Sequence, residues 1–207
     1  MVLICLIIMI NGLLFSQSKY PADTLLLSKT TPFINKIGIL PISLWQRLSY
    51  NTNIFNCQFY PSCSNYGADA IGDKGIIKGS IMASERITRC NPFAYNYHVE
   101  LNSPFNEKDS RLIDPVKIKN LHLPNRSPLV AGILSAIIPG AGRAYSGRTM
   151  DGLMGFWTFY LTGSSAYFSI KEKRTIAGPF FLTVSAVVYL GEIYGAWRSA
   201  KYYQKSN

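Results

Sequence analysis

Apolar residues in this chain gather into runs at its two ends and into periodic stripes in its middle. The N-terminus reads VLICLIIMI from Val2 to Ile10, continues through Leu13, Leu14 and Phe15, and carries no charge before Lys19. That run falls short of the ~20 apolar residues that cross a bilayer as a helix. Ser16 and Ser18 have the small-residue spacing of a signal-peptidase site, while a basic segment ahead of the run is missing. Residues 1–18 therefore read as a signal peptide or a short anchor, with Cys5 as one of its apolar residues. At the other end, Gly152 to Ile170 holds 19 residues without a charge, and Ile176 to Trp197 holds 22 with Glu192 as the one charge. Each is long enough to span about 30 Å as a helix. The polar connector Lys171 to Arg174 makes them antiparallel neighbours, a transmembrane helical hairpin. Small residues at Gly163, Ser164, Ser165 and Ala166, and at Gly191 and Gly195, would let two such helices approach closely. Tyr189, Tyr194 and Trp197 fit an interfacial belt. A charge in lipid costs about 3 kcal/mol or more, so Glu192 is expected to snorkel or to meet Arg198 near the helix end. A third run, Ser127 to Gly142, spans 16 residues and ends in Pro-Gly-Ala-Gly, which favours a short interfacial or re-entrant helix.

The middle is periodic rather than uniformly apolar. Ile37, Leu40, Leu44, Trp45 and Leu48 recur at helical spacing between Asn35 and Ser49, flanked by Lys36 and Arg47, with Pro41 placed to kink or start the helix. Such a basic, Trp-bearing amphipathic helix either lies in a membrane interface, through Trp45 and Arg47, or packs on its own domain. Pro61 and Ser62 then open a helix that carries Cys63, Tyr66, Ala70 and Ile71 on one side and stops between Gly72 and Gly75. A second helix runs from about Ile76 to Cys90. Ile76, Ser80, Ala83, Ile87 and Cys90 line one of its faces; Lys78, Glu85, Arg86 and Arg89 line another. The expected unit is a helical hairpin with one apolar seam and one basic side.

Composition agrees with a membrane setting. The 207 residues are 48% hydrophobic, 13% aromatic and only 15% charged, with 21 Lys and Arg against 11 Asp and Glu for a net charge of +10. These proportions exclude a disordered chain, and four cysteines are too few for a disulfide-built scaffold. Many of the cations flank membrane segments, where topology explains them, so nucleic acid is not an expected partner. The Cys57 to Cys63 spacing is not that of a zinc knuckle, and neither His98 nor His122 sits at ligand spacing, so no metal or other cofactor is expected. A catalytic thiol would need a base that the sequence does not supply, although Arg86 and Arg89 bring positive charge. The thiols then read as buried small hydrophobes in a reducing compartment, or as one disulfide and a free thiol after export.

The blocks ILPISLWQRLSY, CQFYPSCSNYGADAI and KGIIKGSIMASERITRCNP, followed by Asp114-Pro115-Val116, resemble the YidD family of bacterial membrane protein insertion efficiency factors. By that resemblance Cys57, Phe59, Pro61, Cys63, Ser64, Tyr66, Ala70, Gly75, Gly79, Arg86, Cys90 and Pro92 are motif positions. It implies a compact helical unit on the inner face of the cell membrane that assists the Sec translocon and a YidC-type insertase without known enzymatic activity. The chain departs from the pattern in its inserted stretch Phe93 to Ile113, in its N-terminal run and in its C-terminal hairpin.

The expectation is thus an all-α protein: a small helical membrane-associated domain over 34–116, then a membrane hairpin module over 127–205. Its expected function is that of an accessory factor of membrane-protein insertion, integral to the bacterial inner membrane and acting by binding, with no catalytic residue. The alternative is a thiol-active or redox-sensing envelope protein using Cys57, Cys63 and Cys90. Three cations in the hairpin connector, Lys171, Lys173 and Arg174, face five on its flanks, Arg143, Arg148, Arg198, Lys201 and Lys205. The positive-inside rule favours a cytoplasmic helical unit, whereas a cleaved signal would place it outside.

Overall fold

The computed structural model describes residues 20–52, 57–116 and 126–202. The signal or anchor expected over residues 1–18 lies outside them. The fold is all-α. Two helices precede the first cysteine of the motif: the short α1 (Pro21–Leu27) and the longer α2 (Phe33–Ser49). Strand β1 (Phe59–Tyr60), α3 (Cys63–Lys74), α4 (Ile76–Arg89), α5 (Ala94–Glu100) and β2 (Leu112–Ile113) follow. The C-terminal part consists of α6 (Pro128–Ile137), α7 (Ala141–Tyr145), α8 (Thr149–Lys171) and α9 (Ala177–Tyr202).

Helix α2 forms where the periodicity places it, with Pro41 inside it, but its polar side is the one that packs inward. Asn35, Ser43, Gln46 and Ser49 are buried together with Ile39. The polar groups of Asn35, Ser43 and Gln46 are used: Gln46 accepts the Ala22 N–H at 3.0 Å and donates to Asn65 Oδ1 at 2.8 Å. Ser43 donates to Asp23 Oδ1 at 2.6 Å, and Asn35 to the Gly72 carbonyl at 3.3 Å. The apolar stripe faces outward, with Phe33 79% and Leu48 66% exposed and Leu40, Leu44 and Trp45 about half exposed. A hydrogen-bonded inner face is the condition for burying polar side chains at all.

Ser62 caps α3, its Oγ accepting the Asn65 N–H at 3.4 Å, and α3 turns directly into α4 at Gly75. The two helices touch backbone to backbone where Gly79 crosses Ile71; a Cβ at Gly79 would collide with the main chain of Ala70 and Ile71. The hairpin expected from the sequence is present, but of the side expected to be basic Lys78 alone is exposed. Glu85, Arg86 and Arg89 of α4 are buried, whereas Ile77 and Ile87 are exposed.

The inserted stretch is built into the structure. Helix α5 is followed by a loop in which His98 Nε2 pairs with the Pro104 carbonyl at 2.8 Å and the Phe105 ring meets the His98 ring edge-on. Phe105 bridges to Leu112, and β2 then runs parallel to β1 in the register Phe59 to Leu112 and Tyr60 to Ile113. This pairing delivers Asp114, the next residue, into the protein interior.

Helices α8 and α9 form the expected antiparallel pair. Among the described residues one helix, Ala177–Tyr202, is long and apolar enough to cross a membrane; α8 has the length but not the apolarity. Its Thr158, Thr162 and Ser165 hydroxyls donate to carbonyls one turn back at 2.7, 2.9 and 2.8 Å, which satisfies them without water. Helix α6 rises about 15 Å over its ten residues, half a bilayer core, in keeping with a short helix rather than a span. Gly191 and Gly195 do not serve the hairpin contact. They let α9 approach α4 and α7: a Cβ at Gly195 would strike the Arg143 guanidinium and Glu85, and one at Gly191 would strike Ser84.

Candidate functional site

Six of the motif residues form two clusters at the end of the α3–α4 hairpin away from Gly75. In the first, the thiols of Cys57, Cys63 and Cys90 converge from three element ends. Cys57 precedes β1, Cys63 opens α3 and Cys90 closes α4, and the three Sγ atoms lie within 4.8 Å of one another. Cys57 and Cys63 are 3.5 Å apart, and Cys57 accepts the Cys63 backbone N–H at 3.3 Å. Gln58 donates to Cys90 Sγ at 3.7 Å and to the Asn91 carbonyl at 2.9 Å. Hydrogen bonds from Cys63 first and Cys90 second hold Cys57 well below the usual thiol range, against the effect of burial. The same bonds push Cys63 and Cys90 upward. Among the described residues these are the one group of three or more side chains placed to hold a metal ion. Phe59, Ala94 and Leu112 pack behind them.

The second cluster centres on Arg86, whose guanidinium lies 4.8 Å from the Phe59 ring and 4.4 Å from the Tyr66 ring. It donates to the Ser62 carbonyl and to Asp114 Oδ2, both at 3.3 Å. Burial pushes the Tyr66 phenol up to about 12. Ser64 sits at the seam with α2, accepting from Gln46 Nε2 at 3.3 Å, while Pro61 enters α3 and Pro92 lies apart on an exposed turn. Trp45 points outward. Arg47 does not: it binds Asp23 at 3.0 Å and lies 5.0 Å from the Tyr20 ring.

Behind Arg86 is a buried ionic centre that joins the motif-bearing unit to the C-terminal helices. Arg198 of α9 donates to Glu85 at 2.7 Å and to Asp114 at 3.0 Å. Arg89 pairs with Glu85 one turn away and with Asp114 at 2.6 Å. Arg143 of α7 is gripped by Glu192 through two bonds at 3.0 and 3.1 Å, with Glu85 3.6 Å away. Glu192 therefore neither snorkels nor meets Arg198; it is fully buried and holds Arg143, in a space that Gly155 leaves open. Next to this centre, Asp151 takes Arg148 at 2.6 Å and Asn91 at 2.7 Å, and Tyr97 accepts the Met150 N–H at 3.1 Å. Burial alone would raise Glu85, but Arg89, Arg198 and Arg143 overcome it and hold the carboxyl at about 2. Asp114 is likewise held well below the usual carboxylate range against burial by Arg89, Arg198 and Arg86.

These partners were not readable together. Arg143 meets Glu192 and Glu85, Asp151 meets Asn91, and Arg198 meets Glu85 and Asp114, all across long stretches of chain that no local spacing connects. The one available signal was the presence of charges in otherwise apolar segments.

Between the outward edge of α2 and the α8–α9 pair runs an open groove of about 810 Å³. Pro41, Ile42 and Trp45 form one wall; Ile71, Ala83 and Ile87 form the floor; Thr158, Thr162, Val184 and Val187 form the other wall. Cys63 and Ser64 reach its edge, so the thiol cluster and the groove adjoin.

The YidD family, described as "Putative membrane protein insertion efficiency factor", matches residues 34–98. A protein of that name from Oleidesulfovibrio alaskensis is 48% identical over 59 residues, 28% of this chain and 69% of the relative. One from Thermoanaerobacter pseudethanolicus is 43% identical over 60 residues, 29% of this chain and 87% of the relative. One from Legionella pneumophila is 37% identical over 68 residues, 33% of this chain and 84% of the relative. No solved structure matches the chain. The helices from Pro128 onward lie outside the family match. With more than two thirds of these relatives covered by the stretch that carries both motif clusters, the chain belongs to the YidD family.

Proposed function

We propose that this protein is a membrane-anchored accessory factor that assists insertion of integral membrane proteins by binding apolar segments of its clients rather than by chemistry. The observation that carries the reading is the groove: it is apolar, open, and walled on one side by the helix long and apolar enough to cross a membrane. The names of the relatives support the general role. In this reading 34–116 is the working unit and 127–205 its anchor in the bacterial cell membrane. The exposed stripe of α2 rests at the lipid surface through Trp45, and the Sec translocon and a YidC-type insertase are the neighbours that supply clients. The larger count of cations on the hairpin flanks supports a cytoplasmic position for the working unit.

Photo-crosslinking during synthesis tests this. A benzophenone amino acid at Ile87 or Val187, in the groove, is expected to form adducts with a newly made multispanning membrane protein; the same probe at Tyr95, away from the groove, is not. Adducts with phospholipid alone at both groove positions would overturn the reading.

A further inference from the structure

We propose that Cys57, Cys63 and Cys90 form a trithiolate site for a thiophilic d10 cation, Zn2+ or Cu+. Sequence spacing argued against a metal because Cys57 and Cys63 lack knuckle spacing and neither His98 nor His122 sits at ligand spacing along the chain. The fold adds the third thiol from the far end of α4, and convergence in space is what a metal reads. A metal–sulfur bond of about 2.3 Å in trigonal or tetrahedral geometry sets sulfurs about 3.8–4.0 Å apart. Cys57 and Cys63 stand at 3.5 Å and no pair exceeds 4.8 Å, so closing on an ion needs shifts of less than about an ångström.

The scaffold is fixed before any ion arrives. The β1–β2 pairing holds the segment after Cys57, the Ser62 cap holds the start of α3, and the close crossing at Gly79 sets the end of α4 against both. The N–H groups of Cys63 and Gln58 already point at the sulfurs of Cys57 and Cys90. Such outer-shell donors orient thiolate ligands and temper their charge. Soft sulfur donors without nitrogen or oxygen select Zn2+ or Cu+ over hard cations such as Mg2+. Three thiolates complete a trigonal Cu+ site, and they leave one position on Zn2+ for water or an incoming ligand. On binding, each sulfur exchanges its proton for the metal, so up to three protons pass to solvent per ion. The site is independent of the insertion role.

The test uses the full chain, purified reduced in detergent without oxygen. Titration with Co2+ as a reporter for Zn2+ is expected to give thiolate-to-cobalt charge-transfer absorption that saturates at one ion per chain and disappears on adding Zn2+. Cu+ is titrated separately against a colorimetric chelator, and whichever ion competes at lower concentration identifies the site. Cys57→Ser, Cys63→Ser and Cys90→Ser should each weaken binding by more than the roughly 10- to 100-fold that loss of an outer-shell partner costs, while Cys5→Ser leaves it unchanged. Because a serine variant can fail to fold, maleimide labelling of the native chain provides a second reading. Zn2+ or Cu+ should protect three thiols, Mg2+ should protect none, and a chelator should restore labelling. Binding that is non-stoichiometric and indifferent to all three substitutions, or a Cys57–Cys63 disulfide in protein taken directly from membranes, overturns the proposal.

Discussion

The outer face of α2 and the junction behind α4 treat side chains in opposite ways. On α2, Phe33, Ile37, Leu44 and Leu48 stand exposed while Asn35, Ser43 and Gln46 turn inward. At the junction, four arginines and three carboxylates are enclosed, and Arg86 and Arg143 have no exposed surface at all. In water both arrangements run against the hydrophobic effect, which would draw the leucines in and leave the guanidinium groups out. A lipid surround removes that preference: apolar side chains lose nothing by facing outward, and polar contacts become what holds helices together. On the proposed reading, in which the α2 face meets lipid, the ionic centre couples the helices to one another and the apolar face attaches the protein to its surroundings. Substitutions should separate the two.

The largest effect is expected at the centre. Arg198→Met removes one partner from both Glu85 and Asp114 and leaves two carboxylates enclosed with less compensation. Breaking a buried ion pair from one side costs about 3–5 kcal/mol. Thermal unfolding of the full chain in detergent, followed by helical circular dichroism, should show that loss. A change below about 1 kcal/mol, the range of solvent-exposed pairs, would mean that water reaches the cluster.

Acid should loosen the same centre. Glu85 is held at about 2 against an ordinary value of 4.5, so its charged form is favoured in the folded protein and its contribution is fully present above about pH 4.5. That contribution fades as pH falls from about 4.5 to 2, and is on the order of 3 kcal/mol in all. Asp114, depressed for the same reason, extends the loss to lower pH. Glu85→Gln should be less stable near neutrality and should show a flatter decline over that window. An identical acid profile in the variant and the native chain would remove Glu85 from the account.

The contrast between the two regions also explains how much could be read from the chain. Periodicity located α2 and the α3–α4 hairpin, because helical spacing of apolar residues does not depend on what surrounds the helix, and the length of the uncharged runs located the paired C-terminal helices. It misjudged which side of α4 faces inward, because charged side chains can be enclosed when other elements supply their partners, and periodicity does not show such partners. Glu85, Arg86 and Arg89 were visible as one stripe, but the carboxylates and arginines that enclose them come from β2, α7 and α9. The thiols were visible as motif positions, and their meeting depended on a helix end, Cys90, that sequence spacing could not bring beside Cys57.

The smallest effect in free energy is expected on α2, and it should appear in a different measurement. Leu44→Ser with Leu48→Ser removes two exposed apolar side chains that touch little of the protein interior, so unfolding should move by less than about 0.5 kcal/mol. If this face lies in the membrane surface, the same pair should lose about 1 kcal/mol of lipid attachment per residue, since each buries only part of its area. Trp45, next to Leu44 and one turn from Leu48, reports on this directly. With Trp157→Phe and Trp197→Phe in the background, its fluorescence in proteoliposomes should be quenched by lipids brominated near the headgroup. The two serines should shift the quenching toward acrylamide in the water. A Trp45 that acrylamide quenches fully and brominated lipid leaves untouched, even with Leu44 and Leu48 in place, would show that this face looks into water. Its exposed stripe would then need a protein to cover it.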